Sequence, residues 1–253
     1  MSAGERLPDG FVLHAHARLG STNDEARRLA EEGAPAGTVV LAAEQTRGRG
    51  RHGRSWTSPP GNLYVSVLLR PDCAMAVATQ LSLVAGLALA EALAALGPPQ
   101  VDLQLKWPND VLIGGAKTAG ILLEGASDAA GRAAWVVVGT GVNLVSCPDG
   151  LDHPVTCLAR EGFPSLSPET VLAAYLVELA RWLERWRAAG FGAVRQAWLA
   201  RGFGLGAEIR LRLEQGELRA RWLDLTDTGS LLVEQAGGRR REIATGDIFY
   251  LDR

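Results

Sequence analysis

Gly48-Arg49-Gly50-Arg51-His52-Gly53, followed by Ser55-Trp56-Thr57-Ser58-Pro59-Pro60-Gly61, is the stretch on which the fold turns. Its glycines match G-x-G-x-x-G, the dinucleotide-binding fingerprint, which requires a helix directly after them. Two prolines and a glycine follow instead, and a helix interior does not accommodate them. A dinucleotide fold is excluded on that point. What remains is a cationic loop, because residues 47–54 hold four arginines and three glycines, unsuited to a buried strand and poor as a helix interior. Glycine lets neighbouring N–H groups turn toward one point and guanidinium forks add fixed charge, so the loop suits a phosphate or carboxylate. Its flexibility predicts a mobile segment that orders on a ligand. Taken alone, the run also reads as a solvated basic turn; the rest of the chain shifts that balance.

Outward from the loop, residues 38–43 are a β-branched, apolar run and residues 62–69 alternate Tyr64, Ser66 and Leu68 against Val65, Val67 and Leu69, so the loop joins two strands. Upstream, residues 11–15 read as a short strand. Gly20-Ser21-Thr22-Asn23-Asp24-Glu25 then opens a helix, with Thr22 and Glu25 spaced as a capping box. Capping alone explains Ser21, Thr22 and Asn23; a helix N-terminus also offers free N–H donors to a small polar ligand, and both readings hold together.

Downstream, residues 76–96 predict one long buried helix and residues 101–105 a strand. Lys106-Trp107-Pro108-Asn109-Asp110 follows, a turn that holds polar groups at a strand end. Gly114-Gly115 between apolar runs predicts a β-hairpin, with Lys117 opening the return strand and Gly120 inside it, where an interior glycine marks a close approach. Lys117 alone also fits an exposed edge lysine. Residues 135–139 predict a strand closed by a tight turn at Thr140-Gly141-Val142-Asn143. Ser167-Pro168-Glu169 caps a helix whose Val171, Leu172, Tyr175, Leu179, Trp182 and Trp186 repeat at core spacing, and a shorter helix spans 193–201. From Glu208 five short strands, the last at 247–251, predict a small β-barrel. The expected division is 1–205 and 206–253.

The chain's 253 residues and 47% hydrophobic content allow a sizeable core. A net charge of −2 and a pI near 6.1 make the arginine run a local feature and count against a general nucleic-acid or anionic-membrane binder. Cys73, Cys147 and Cys157 lack paired spacing, which predicts reduced thiols in the cytoplasm. A zinc site from Cys147, His153 and Cys157 lacks close ligand pairs and is not expected. The opening ten residues carry no signal-peptide pattern, and the apolar run at 81–96 is too short and too polar to span a bilayer comfortably.

Taken together, Gly20-Ser21-Thr22-Asn23, the run from Gln45 to Trp56, Lys106-Trp107-Pro108-Asn109-Asp110, Lys117-Thr118-Ala119-Gly120-Ile121-Leu122 and Gly139-Thr140-Gly141-Val142-Asn143 resemble the biotin protein ligases in order and spacing. The resemblance implies an α+β fold: a class II aminoacyl-tRNA synthetase-like catalytic domain, a mixed sheet flanked by helices, followed by an SH3-like barrel. It implies activation of biotin with ATP as biotinyl-5′-AMP, with pyrophosphate released. Transfer to a lysine of a biotin carboxyl carrier protein follows. It assigns Ser21, Thr22, Asn23, Gln45, Gly48, Arg49, Gly50, Arg51, Lys117 and Gly120 to the biotin side. Trp56, Lys106, Asn109, Asp110, Gly139 and Asn143 fall to the remaining, largely nucleotide side. Mg2+ is implied with ATP near Asp110, with no metal ligand set assigned. Lys117, Arg49 and Arg51 are the expected catalytic cations, with Lys117 bridging the biotin carboxylate and the α-phosphate. The chain begins almost at its first strand, so no DNA-binding repressor role is expected; a monomer or homodimer is. His52 and Thr118 depart from the common pattern. The rival readings are a lipoate ligase of the same architecture and a nucleic-acid-binding module.

Overall fold

Seven strands carry the arginine loop and its partners. In the computed structural model, which describes residues 7–250, they are β1 (Val12–His16), β2 (Thr38–Ala42), β3 (Leu63–Leu69), β4 (Leu103–Lys106), β5 (Asp110–Ile113), β6 (Ala116–Ser127) and β7 (Ala133–Val142). The reading of the first six residues and the expected strand end at Leu251 lie outside the described residues. The strands form one mixed sheet in the order β1-β2-β3-β7-β6-β5-β4, in which only β1 and β2 run parallel. Every residue of β2 and β3 is buried, so the alternation read over residues 62–69 does not separate a solvent face from a core face: Tyr64 and Ser66 are as buried as the valines between them.

Helices α1 (Thr22–Glu31), α2 (Met75–Ala78), α3 (Leu81–Leu96), α4 (Pro168–Ala189) and α5 (Phe191–Leu199) complete this part. The apolar run read as one helix over 76–96 is two. Thr79 and Gln80 between them stay in the right-handed region, so the run jogs without ending. Gln80 is held there by both ends of its amide: Trp186 Nε1 donates to its Oε1 at 2.7 Å, and its Nε2 donates to Asp227 O at 3.0 Å. Helix α3 is buried almost all round between the sheet and α4, as its uniform apolarity demands. Ser167 caps α4 as expected, accepting from Thr170 N at 3.1 Å.

Two local readings are overturned. The capping box at Thr22 does not form, because Ser21 is the residue before the helix and Gln45, reaching from the end of β2, supplies the acceptor to Thr22 N at 2.8 Å; Glu25 pairs with Arg28 instead. The turn expected at residues 140–143 is absent, since β7 continues to Val142 and pairs with both β3 and β6 through Gly141. Its glycines serve close approach. A Cβ on Gly139 would stand 2.1 Å from Asn23 Oδ1, and one on Gly141 2.6 Å from Trp56 Nε1. At Gly114 and Gly115 the sequence reading holds, both having positive φ in the turn between β5 and β6.

The small unit comprises β8 (Glu208–Leu213), β9 (Gly216–Leu225), β10 (Leu231–Glu234), β11 (Arg240–Ile243) and β12 (Asp247–Tyr250). They form an antiparallel five-stranded sheet, order β11-β10-β9-β8-β12. Ile209, Leu211, Trp222, Leu231, Val233 and Ile248 fill its buried face, and Trp222 meets Trp198 of α5 edge-on at 6.0 Å between ring centroids. The unit is anchored to the large sheet's own turn: Trp107, 2% exposed, donates from Nε1 to Gly229 O at 3.1 Å.

Candidate active site

The ends of β2, β4, β6 and β7, the start of α1 and the edge of β12 surround one cavity of about 650 Å³. Of the residues expected there, Ser21, Thr22, Asn23, Gln45, Arg49, Gly50, Arg51, Trp56, Lys106, Asn109, Asp110, Lys117, Gly120, Gly139 and Asn143 all line it. Gly48 does not. A Cβ there would stand 2.4 Å from Trp56 O and 2.5 Å from Ser58 Oγ, so Gly48 is needed where the loop's two limbs cross.

The arginine segment has regular structure of its own. It is a miniature hairpin closed by Trp56 N to Gly48 O at 2.9 Å and Gly50 N to Arg54 O at 2.7 Å, with a 3-10 turn over Arg51–Gly53. His52 carries a left-handed φ of 56°. Carboxylates from outside the loop account for the order. Arg49 donates to both Glu124 oxygens at 3.0 Å and pairs with Asp24 at 2.8 Å. Arg51 faces Asp247 at 3.5 Å and donates to Gly246 O at 3.3 Å, while Arg54 reaches Asp247 at 2.5 Å. The guanidinium of Arg49, first by its hydrogen bond, holds the Asp24 carboxyl below its usual range. Desolvation lowers Arg51 below the usual arginine value, which disfavours its charged form, whereas the downward shift of Asp24 favours the charged one.

On one wall, buried polar groups form a chain. Gln45 accepts from Thr22 N and passes on through Nε2 to Ser58 Oγ at 3.0 Å. Ser66 Oγ donates to Asn23 Oδ1 at 2.6 Å and lies 2.8 Å from Thr22 Oγ1. Asn23 Nδ2 reaches Glu124 at 2.7 Å, which links the start of α1 to the arginine hairpin. Opposite stand the cations. Lys117 Nζ lies 2.6 Å from Asp110 Oδ1 and 5.4 Å from the centroid of the Trp56 ring. Lys106, beside the same carboxylate, has its pKa lowered by burial, with Lys117 adding to the effect and Asp110 opposing it. Trp56 Nε1 is buried without an acceptor among the described residues, leaving a donor on the cavity wall.

Asn109 and Asn143 shape the site from within. Asn109 Nδ2 donates to Ile121 O at 2.7 Å, and Asn143 Nδ2 to Thr156 O at 3.0 Å. The second bond, with Lys117 N to Pro154 O and Thr156 N to Lys117 O, both at 2.9 Å, seats the segment 148–156 against Lys117. Sequence reasoning weighed His153 only for a zinc site and did not place its segment at the cavity, where Asp152 and His153 line the wall, and it missed Glu124, Ser66 and Asp247. Only Glu124 left a trace, as a lone carboxylate within the apolar run 118–124.

A cleft that gathers lysines and arginines, the polar start of a helix and a glycine-lined wall around one cavity suits the class of enzyme that joins a carboxylic acid to a nucleotide. The chain belongs to the Biotin/lipoate A/B protein ligase family, whose profile matches residues 7–200, and the profile of the Biotin protein ligase C terminal domain matches residues 204–251. It is similar to the biotin–[acetyl-CoA-carboxylase] ligase of Paracoccus denitrificans, 40% identical over 240 residues that cover 92% of this chain and 98% of the relative. The corresponding Mycobacterium tuberculosis ligase is 35% identical over 94% of this chain and 89% of its own. Among solved structures, the Aquifex aeolicus biotin protein ligase in complex with biotin and ATP superposes with a TM-score of 0.80 at 30% identity, covering 94% and 97% of the two chains. The Leishmania major enzyme in complex with biotinyl-5-AMP gives 0.64 at 26% identity, covering 92% and 98%.

Proposed function

We propose that this chain is an ATP-dependent biotin protein ligase, and that one observation carries the assignment of its chemistry. The Lys117 ammonium and the arginine hairpin share one cavity with the polar start of α1. In the first step a biotin carboxylate oxygen attacks the α-phosphorus of ATP, the bond to the β-phosphate oxygen breaks, and pyrophosphate leaves. Two anions must meet, so positioning and positive charge are the main requirements. Lys117 bridges the carboxylate and the α-phosphate, giving up Asp110 as its partner, and a compact ammonium suits that place. Arg51 and Lys106 supply further charge, Trp56 offers its indole face and N–H, and Gly120, Gly139 and Gly141 keep the wall open. Thr22, Asn23 and Gln45 orient the biotin ring through the network already fixed by Ser66.

In the second step a lysine amine of a biotin carboxyl carrier protein attacks the acyl carbon and AMP leaves. The naming of the Paracoccus relative supports a carboxylase acceptor. Mg2+ enters with ATP as part of the substrate. Among the described residues no group of three His, Cys, Asp or Glu side chains could hold a metal by itself, and Asp110 pairs with Lys117 until that lysine turns to the substrate. We place the division between catalytic part and small β unit at 205/206, and the chain in the cytoplasm with its three free cysteines.

Pyrophosphate exchange measured in parallel with biotin, lipoate and octanoate tests the reading: biotin alone should drive it, and comparable exchange with lipoate overturns the choice of substrate. Lys117→Ala should slow biotin-dependent exchange by about 100-fold or more, the scale of losing a transition-state charge contact; a near wild-type rate removes Lys117 from its role.

A further inference from the structure

By spacing alone Cys147 and Cys157 are unpaired, yet the fold sets them at the two feet of one strap. The segment between them carries Leu151, Asp152, His153, Pro154 and Val155 on the cavity wall. Each foot is pinned. At the first, the buried Asn62 accepts through Oδ1 from the backbone N–H groups of Leu144, Val145 and Ser146 at 2.9, 3.0 and 3.3 Å, which fixes the chain up to Cys147. At the second, Leu158 N donates to Asn143 O at 3.0 Å and Ala159 N to Leu144 O at 2.9 Å, so the chain leaving Cys157 runs beside the chain that enters Cys147. Arg160 spans the two: its backbone N donates to Cys157 O at 3.0 Å and its Nη1 to Cys147 Sγ at 3.1 Å. The Cys157 thiol itself lies within hydrogen-bonding reach of the Cys147 thiol. A disulfide needs its two Cα atoms within about 7 Å, a condition that backbone-paired chains with facing thiols suit.

We infer that Cys147 and Cys157 are a modification site, a dithiol that a low-molecular-weight disulfide such as oxidised glutathione converts to an intrachain bond across the feet of the strap. The two thiols differ in exposure. Cys147 is half-buried and open to an incoming disulfide, whereas Cys157, 1% exposed, meets only its neighbour. In the first exchange the Cys147 sulfur, its proton lost to solvent, bonds to one glutathione sulfur; the glutathione S–S bond breaks and the other half leaves as thiolate. In the second the Cys157 sulfur, also deprotonated, bonds to the Cys147 sulfur and expels the remaining glutathione. The chain gives up two electrons and two protons, and one small disulfide becomes two thiols. Burial pushes the Cys147 thiol up, with Arg160 opposing and Cys157 and Asp149 adding to the rise, so the exchange quickens as pH climbs from 7 to 9. Among the described residues the charged groups acting on Cys73 are Arg132 and Asp72, with no second thiol, so Cys73 stops at the mixed disulfide. For the site the consequence, which rests on the proposed ligase reading, is a strap whose feet cannot part and an adenylate that leaves more slowly.

Wild type, Cys73→Ser, Cys147→Ser and Cys157→Ala, each as the full chain, are treated with oxidised glutathione at pH 8, blocked with N-ethylmaleimide and read by intact mass and peptide mapping. Wild type should lose two hydrogens in a 147–157 link and carry glutathione at Cys73 at most. Cys157→Ala should stop at a glutathione adduct on Cys147, and Cys147→Ser should leave Cys157 unmodified until urea is added. Glutathione held on Cys147 of wild type without an intrachain link overturns the inference, as does a link to Cys73 or between two chains. Dialysis of labelled enzyme–adenylate then compares reduced with oxidised wild type. Oxidation should slow the loss of adenylate about threefold or more, the worth of ordering a loop in advance, and dithiothreitol should reverse the change. Cys147→Ser should respond to neither reagent. A mapped link with unaltered retention overturns the effect on the strap. Absence of biotin-dependent pyrophosphate exchange in reduced wild type sinks the ligase reading instead, and the mapped link then stands apart from it.

Discussion

The two limbs of the arginine hairpin are held by different parts of the molecule. Arg49 is clasped by Asp24 of α1 and Glu124 of β6, both belonging to the large sheet and its first helix. Arg51 and Arg54 reach across to Thr245, Gly246 and Asp247 at the start of β12. The first limb is thus a fixed part of the wall, with two carboxylates against one guanidinium. The second is fastened to another unit by a single carboxylate shared between two arginines. Arg51 is also the more desolvated, so an anion entering the cavity gains most there. Two residues that look equivalent in Gly48-Arg49-Gly50-Arg51 are separated by what stands opposite them.

If that contrast is right, Arg51→Gly should form adenylate yet lose it about tenfold faster or more, the worth of a charge-assisted contact, as read by dialysis of labelled enzyme–adenylate. Unchanged retention would make the second limb as structural as the first. Arg49→Gln should instead act on stability, by about 1 kcal/mol at pH 7 in urea unfolding, in keeping with partly exposed pairs. Its pH dependence sharpens the point. The folded Asp24 pKa lies below its ordinary 3.8, so the Arg49 pairing stabilises the fold above that value and is lost as pH falls through the lower one. Wild type and variant should therefore converge in acid; a constant gap would rule out Asp24 as the source. The smallest effect belongs to Asp247→Asn, roughly a twofold change in adenylate retention, since Arg54 is largely exposed. A change as large as that of Arg51→Gly would make the contact with the small sheet a main determinant of closure.

These distinctions could not be read from sequence, and the reason is distance along the chain. Arg54 and Asp247 are 193 positions apart, Arg49 and Glu124 75, and no local pattern encodes such pairs. Local chemistry was legible where it decides alone: Gly114-Gly115 gave its hairpin and Ser167-Pro168 its helix start. It misled where a remote side chain competed. Gln45 displaced the capping box at Thr22, and the glycines after Val138 looked like a turn because glycine marks both turns and close approaches. The site itself was mostly legible, since its polar residues cluster at strand ends, and the convergence of Lys117 with the arginine hairpin on one cavity matches that reading. Asn143 lies on the wall as expected, yet its amide is spent on Thr156 O, so it supports the strap over the site from behind.

Trp107 carries one further consequence. Its indole is sealed between the large sheet and the small one, and the two residues after it are Pro108 and the wall residue Asn109. Trimming the chain after residue 205 would strip the acceptor from that nitrogen and wet the very bend that presents Asn109 to the cavity. The carboxy-terminal sheet is thereby a buttress for the reaction chamber, and a minimal version of this enzyme would have to keep it.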